Sequence, residues 1–382
     1  MVQNRWRHRL GTAVVTLAMG AGVATAVYGV GLPSMGGSLV LAAGFLADPV
    51  HLVQSVEQMV AQLPTQPQPS GQPVAAPVTP SAEPTPQPTP QPEPTPQPEG
   101  QADPEPTPTD QQPPEGAGQI VEQHYEPGTG TLFVQVGAGV IKNNTTLSAQ
   151  EVLEAAQQGL PFTIEPGSSE PQVLIMHTHT TETFELERKS WYDLSSTART
   201  TDLSLNMAAV GEAMAQELNQ AGIVTLHDTT LHDYPSYNGS YERSNATVQS
   251  YLAQYPSIKV VLDVHRDAIE PASGQRVSAI AQVEDRTAAQ VMIICGADKN
   301  GNLPNFRQNL GFAAAWQNAM ESLYHGLTRP VLLDYRYYNQ DLSTGSLLIE
   351  VGSHGNTLEQ AVYSGQLVGK ALVQLFLQDA GS

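Results

Sequence analysis

The clearest hydrophobic pattern in the chain is a set of short, uninterrupted apolar runs. Val173-Leu174-Ile175-Met176 is one, Val260-Val261-Leu262 leads into a second that ends at Val264, and Leu347-Leu348-Ile349 is a third. Runs of this length predict strands buried on both faces. Between the first two, Leu203, Met207, Val210, Met214 and Leu218 recur at steps of four and three, which marks one face of an amphipathic helix, and Gly222 is placed to end it. The same reading predicts strands at 131–136, 223–226, 258–264, 277–283, 291–295, 331–333 and 346–349. It predicts helices at 147–158, 242–255, 305–325 and 357–378. Strands that alternate with helices imply βαβ units, hence an α/β fold with a mostly parallel sheet flanked by helices on both faces.

The first third of the chain follows a different pattern. Arg5, Arg7 and Arg9 precede an uncharged stretch over 10–47, and its part at 10–32 is long enough to cross a hydrocarbon core of about 30 Å as a single transmembrane helix. Three arginines without an acidic counterweight favour a cytoplasmic N-terminus and an extracytoplasmic location for everything that follows. The alternative is a cleaved signal peptide, because Ala24-Thr25-Ala26 has the small-residue pattern of a cleavage site. Between Pro64 and Pro114 lie 19 of the chain's 30 prolines. That composition cannot bury a core and favours polyproline II at about 3.1 Å per residue, so it reads as a disordered spacer with a reach on the order of 150 Å. The expected organisation is therefore a cytoplasmic tip and membrane anchor at 1–47, a juxtamembrane segment and Pro-rich linker at 48–117, and a catalytic domain at 118–382.

Charge and cysteine usage narrow the function. The chain carries 17 basic and 37 acidic residues, a formal net charge of −20, and the part from Gly118 onward is acidic in its own right with 14 against 28. Nucleic-acid binding has no electrostatic footprint here. The single cysteine, Cys295, excludes an intramolecular disulfide, and its apolar setting marks it as a core thiol.

Each buried run delivers chemistry at its C-terminal end, where open α/β sheets bind ligands. The first leads to His177-Thr178-His179-Thr180-Thr181-Glu182, the second to His265-Arg266-Asp267, and the third to Glu350. A catalytic zinc site needs three protein ligands and one position for water. His179, Glu182 and His265 are the preferred set. If the first strand persists, His177 points the same way as His179, so that one binds metal and the other lines the cleft; the bland reading is a polar loop bonded to its own backbone. Asp202 and His354 are reserve ligands, whereas His227, His232 and His325 are expected at the surface or at a helix end. Glu350 is placed as general base, against the alternative of a structural ion pair with Arg266. Arg266 suits an oxyanion or a substrate carboxylate, and Arg199 and Arg243 join it as candidates for substrate recognition. Asp263, two residues before His265, is either its orienting partner or half of a strand-face salt bridge.

At these residues the chain resembles the stage II sporulation protein P family of membrane-anchored cell-wall hydrolases, whose fold is that of zinc-dependent N-acetylmuramoyl-L-alanine amidases. The resemblance covers roughly 130–377 and rests on Ile141-Lys142-Asn143-Asn144-Thr145, the His-Thr-His-Thr-Thr-Glu block, Arg199 with Asn206, Tyr241-Glu242-Arg243-Ser244, Val264-His265-Arg266-Asp267-Ala268 and Glu350-Val351-Gly352. It implies that His179, Glu182 and His265 hold Zn2+ and that Glu350 is catalytic. It also implies amidase cleavage between muramic acid and the stem peptide of peptidoglycan, endopeptidase cleavage of cross-links, and a role in septal wall degradation during engulfment beside the sporulation protein D lytic transglycosylase. In the broader amidase superfamily the ligand glutamate lies near the start of the helix after the first strand, where this chain has Asp202, so Asp202 stands as the alternative to Glu182. Two other readings compete: a non-catalytic wall-binding module, and another zinc hydrolase such as a carboxypeptidase or deacetylase.

Overall fold

The computed structural model describes residues 112–380. The expected anchor at 10–32 and nearly all of the Pro-rich spacer lie outside the described residues. Among the described residues no helix is long and apolar enough to cross a membrane.

Along the chain come β1 (Gly118–Gln123), β2 (Phe133–Val136), β3 (Gly139–Asn143), α1 (Ala149–Ala156), β4 (Val173–Met176), β5 (Trp191–Tyr192), α2 (Met207–Gln220), β6 (Thr225–His227), α3 (Ser240–Gln254) and β7 (Val260–Asp267). Then follow β8 (Gln275–Val283), β9 (Arg286–Ala289), β10 (Val291–Gly296), α4 (Phe306–Leu323), β11 (Val331–Asp334), β12 (Gly345–Ser353) and α5 (Leu358–Ala380). The larger sheet has eight strands in the order β2-β3-β11-β10-β12-β7-β4-β6. The three runs that dominate the sequence pattern, β12, β7 and β4, are adjacent at its centre and parallel, with β6 parallel beyond them.

Register assigns the two faces of this centre. Met176 stands opposite Asp263, Leu348 opposite Asp263 on the other side, and Glu350 opposite His265. Because side chains alternate along a strand, Asp263, His265 and Glu350 share one face with Met176, and Ile175, Leu262, Val264, Leu347 and Ile349 share the other. The second face is buried in the main core with Met207, Val210 and Met214 of α2, Phe312 and Trp316 of α4, and Val368 and Leu372 of α5. The first face packs Leu174, Met176 and Val261 against Val248 of α3. Cover on both faces is why these strands read as continuous apolar runs and not as alternating ones.

Several expectations are corrected. Most pairings of the larger sheet are parallel, as expected, but β10 pairs antiparallel with β12, and β2 with β3. A second sheet of order β5-β1-β8-β9 escaped the sequence reading, because β5 has two residues and only Gly118 and Ile120 of β1 are buried, too little for a hydrophobic period to register. Leu203 lies outside α2 and is 41% exposed. The helix starts instead at Met207, where the Asn206 side chain caps it by accepting from the Ala208 amide.

Trp316 shows how tightly the main core is filled. It is fully buried, lies parallel to Phe312 with 5.9 Å between ring centroids, and donates from Nε1 to the Val368 carbonyl at 3.2 Å. Trp316→Ala is expected to lower unfolding free energy by about 3–5 kcal/mol through the cavity it leaves, to be read as a lower urea midpoint at unchanged slope.

Candidate active site

The β4 ladder ends at Met176, and residues 177–180 leave it in a tight turn. Two hydrogen bonds from Thr178 to the Asp263 carboxylate, at 2.8 Å from its amide and 2.7 Å from its hydroxyl, tie that turn to β7. His179 is thereby carried to the α3 side of the sheet, where its ring meets that of His265 edge-on at 5.2 Å between centroids. Glu182 arrives from the following segment, with Oε2 3.9 Å from His265 Nδ1. The other His265 nitrogen, Nε2, is 2.7 Å from Asp263 Oδ1, a close ion pair although not an aligned hydrogen bond. His179, Glu182 and His265 are each no more than 6% exposed. Glu350, register partner of His265, has its Oε2 buried without a hydrogen-bond partner, and His179 Nδ1 is likewise unpartnered.

The charges follow from this arrangement. Burial works against a charged His265, but the Asp263 carboxylate, with Glu182 and Glu350 behind it, outweighs burial and pushes the imidazole up to about 9. Burial raises Asp263 too, yet its His265 and Thr178 contacts leave it below the usual range. Burial, with Asp267 and Glu182 adding like charge, pushes Glu350 up to about 8 against the opposing pull of His265 and Arg329. His179 falls to about 4, first through burial and then through the positive charge of His265. Three carboxylates thus surround a buried point at which positive charge is stabilised.

Among the described residues no group of three His, Cys, Asp or Glu side chains stands tightly enough around one point to hold a metal ion as placed. The donor chemistry nevertheless fits zinc. Two imidazoles and a carboxylate are neighbours, one imidazole is oriented by a buried carboxylate in the manner of metal-bound histidines, and His179 Nδ1 is an orphaned donor atom. Glu182 is now held by other partners: Oε1 lies 3.3 Å from Arg199 and 3.8 Å from Arg266.

Other candidates are placed elsewhere. His177 does not line the cleft: the strand ends before it, so it stays on the opposite face, fully buried, with Nδ1 2.8 Å from the Val264 carbonyl and Nε2 3.0 Å from His227 Nε2. Burial and the neighbouring His227 push it down to about 3. Helix α2 passes so close that a Cβ on Gly211 would come within 2.6 Å of both rings. Arg266 is not free to face a substrate. Its Nε, Nη1 and Nη2 donate to the carbonyls of Thr183, Asp267 and Ala198, and it pairs with Glu182 rather than with Glu350. Arg243 also donates three times to backbone, to the carbonyls of His232, Asn238 and Ser236, and so shapes the loop before α3 instead of presenting a fork to a ligand. Arg199 bonds Asp233 and Thr181 as well as Glu182, with about a third of its side chain exposed. Asp202 is exposed and bonded to Ser204, away from the cluster. His354 is buried against Glu270, with Nδ1 unpartnered. His232, expected at the surface, is 1% exposed and bridges the His177 carbonyl and Thr247.

Two aromatic residues at the site carried no role in the sequence reading. Tyr237 stacks on His179 at 4.5 Å, and Tyr241 meets His179 edge-on at 5.5 Å while lying parallel to His265. The only available signal was the Tyr241-Glu242-Arg243-Ser244 block at the start of α3.

A family model and a curated relative point to one family. The family model described as stage II sporulation protein P matches residues 93–373. Stage II sporulation protein P of Bacillus subtilis (strain 168) is 29% identical over 199 residues, 49% of this chain and 47% of that protein, so the match spans about half the length of that relative. Among solved structures, the N-acetylmuramoyl-L-alanine amidase from Clostridium difficile 630 aligns with a TM-score of 0.35 at 14% identity, over 56% of this chain and 99% of that one. The CwlD amidase from Clostridioides difficile, solved with the GerS lipoprotein, aligns at 0.34 and 13%, over 54% and 98%. The family match takes in His179, Glu182, His265 and Glu350 together with nearly all of the described residues, and the chain therefore belongs to the stage II sporulation protein P family.

Proposed function

We propose that this chain is a zinc-dependent peptidoglycan hydrolase, an N-acetylmuramoyl-L-alanine amidase with endopeptidase action on cross-links, which acts on the septal wall during sporulation. The observation that carries this reading is the cluster in which His265 stands between Asp263, Glu182 and its register partner Glu350, beside the unpartnered His179 Nδ1. A site built to stabilise positive charge among imidazole and carboxylate donors suits a metal cation in place of the proton, with proton release on loading. His179, Glu182 and His265 would hold the ion, and Asp263 would fix the His265 ring. Bound zinc supplies an acidified water, with a pKa of about 7, and polarisation of the amide carbonyl.

The remaining steps belong to the chain. Glu350 takes a proton from the attacking water and delivers it to the departing amide nitrogen. A neighbouring divalent cation favours the carboxylate form that the first of these transfers needs, against the burial that otherwise keeps Glu350 protonated. The N-terminal apolar stretch at 10–32 would anchor the enzyme at the outer face of the cell membrane, and the Pro-rich spacer would give the reach to enter the wall, where the sporulation protein D transglycosylase is the proposed partner.

The test is incubation of the full chain, in detergent and zinc, with intact peptidoglycan, followed by mass spectrometry of the products. Free stem peptides support the amidase reading; cross-link cleavage between peptides supports the endopeptidase activity. Terminal amino acids or acetate would point to a different hydrolase, and binding without product under metal-replete conditions to a wall-binding module. In parallel, His179→Ala is expected to weaken zinc binding by more than the about 10–100-fold typical of losing an outer-sphere partner, measured by competition with a zinc chelator.

A further inference from the structure

With all three Arg266 guanidinium nitrogens donated to carbonyls, the negative oxygen that develops during amide hydrolysis lacks the donor expected for it. Tyr241 is positioned to supply one. It lies at the start of α3, half-buried, with its ring parallel to His265 at 6.5 Å between centroids and 13° between planes, and perpendicular to His179. Its hydroxyl forms no hydrogen bond with any described residue. Its O–H is therefore an unengaged donor beside the two candidate ligand histidines.

The surroundings fix this ring. Tyr338 stacks against it at 5.4 Å, Asn339 Nδ2 and Ser244 Oγ donate to its carbonyl at 3.0 and 3.2 Å, and Asn339 Oδ1 accepts from Asn245. Tyr338 and Asn339 adopt φ values of 48° and 54°, a left-handed conformation that non-glycine residues rarely take. Consecutive backbone strain of this kind persists where the surrounding structure over-determines it, and it concentrates at functional sites. Here it holds the Tyr338 ring and the Asn339 amide where both contact Tyr241.

We propose that Tyr241 is a catalytic residue whose hydroxyl donates a hydrogen bond to the scissile carbonyl oxygen as that oxygen becomes an oxyanion, an assignment that rests on the amidase reading above. As the water oxygen bonds to the carbonyl carbon, the carbonyl π pair moves onto oxygen and is met by the Tyr241 O–H. When the C–N bond breaks, the pair returns to re-form the carbonyl, the nitrogen leaves with the proton relayed by Glu350, and Tyr241 keeps its own proton throughout.

The experiment compares wild type and Tyr241→Phe as full chains loaded with zinc, since phenylalanine preserves the ring contacts. Stem-peptide release is measured together with zinc stoichiometry, thermal midpoint, and affinity for a phosphinate analogue of the muramoyl–alanyl amide. The expected result is a kcat about 10²-fold lower, with KM, zinc content and thermal midpoint unchanged, and phosphinate affinity reduced while affinity for an uncleaved ground-state amide is kept. Phosphinate affinity equal to wild type, or a kcat equal to wild type, would overturn the inference while leaving the amidase reading intact. A wild type that releases no stem peptide would overturn the reading and the inference with it.

Discussion

Glu350→Gln is expected to lower kcat for stem-peptide release by about 10²–10⁴-fold, the range that a positioned general acid–base supplies. Glutamine keeps the shape and removes the proton acceptor. It also relieves a cost, because Glu350 is a half-buried carboxylate whose Oε2 is buried and unpartnered, with like-charged neighbours in Asp267 and Glu182. The variant should therefore be at least as stable as wild type, with zinc bound, while turnover collapses. Chemical denaturation, zinc analysis and product release on the same preparation check this pattern. A variant that retains turnover would remove Glu350 from the chemistry, and one that lost stability would place it in an ion pair instead.

His265→Ala should have the largest effect on both metal binding and folding. It removes one of three proposed ligands and strips Asp263, 5% exposed, of the positive partner at 2.7 Å. Breaking a buried pair by removing one member leaves an uncompensated charge and costs about 3–5 kcal/mol. Wild type should gain thermal stability as zinc is added, since a ligand that binds only the folded state stabilises it by mass action. The variant should melt lower and show no zinc-dependent rise. A zinc-dependent rise of wild-type size in His265→Ala would place the metal elsewhere.

Much of this was legible along the chain because it depends on local pattern. The β4 run was read to the residue, and the starts and ends of α3, α4 and α5 fall within two or three residues of the expected ones, since a 3.6-residue apolar period spans enough positions to stand above noise. Asp263 was read correctly as a neighbour of His265, because residues two apart on one strand share a face. The same rule misled at His177 and His179. Period two holds only while the strand lasts, and the strand stops at Met176, so the two histidines lie on opposite faces of the sheet.

The arginines failed for another reason. A guanidinium has five donors and no local preference, so its partners are decided by whichever carbonyls the fold leaves unsatisfied. Arg266 and Arg243 were read as substrate ligands from their positions, and they instead satisfy the backbone of the 183–198 and 232–238 segments.

The amino-acid order by itself determined that an α/β domain would form, that three buried strands would end in histidine and acid side chains, and which family the residues resemble, because burial and periodicity act over a few residues at a time. Only the tertiary structure decided which histidine joins His265, that Glu182 and not Asp202 stands beside it, that Arg266 is spent on the backbone, and that the Tyr241 hydroxyl has no hydrogen-bond partner among the described residues. Those outcomes depend on register between strands far apart in sequence and on competition for buried hydrogen-bond partners, neither of which leaves a trace in the local pattern.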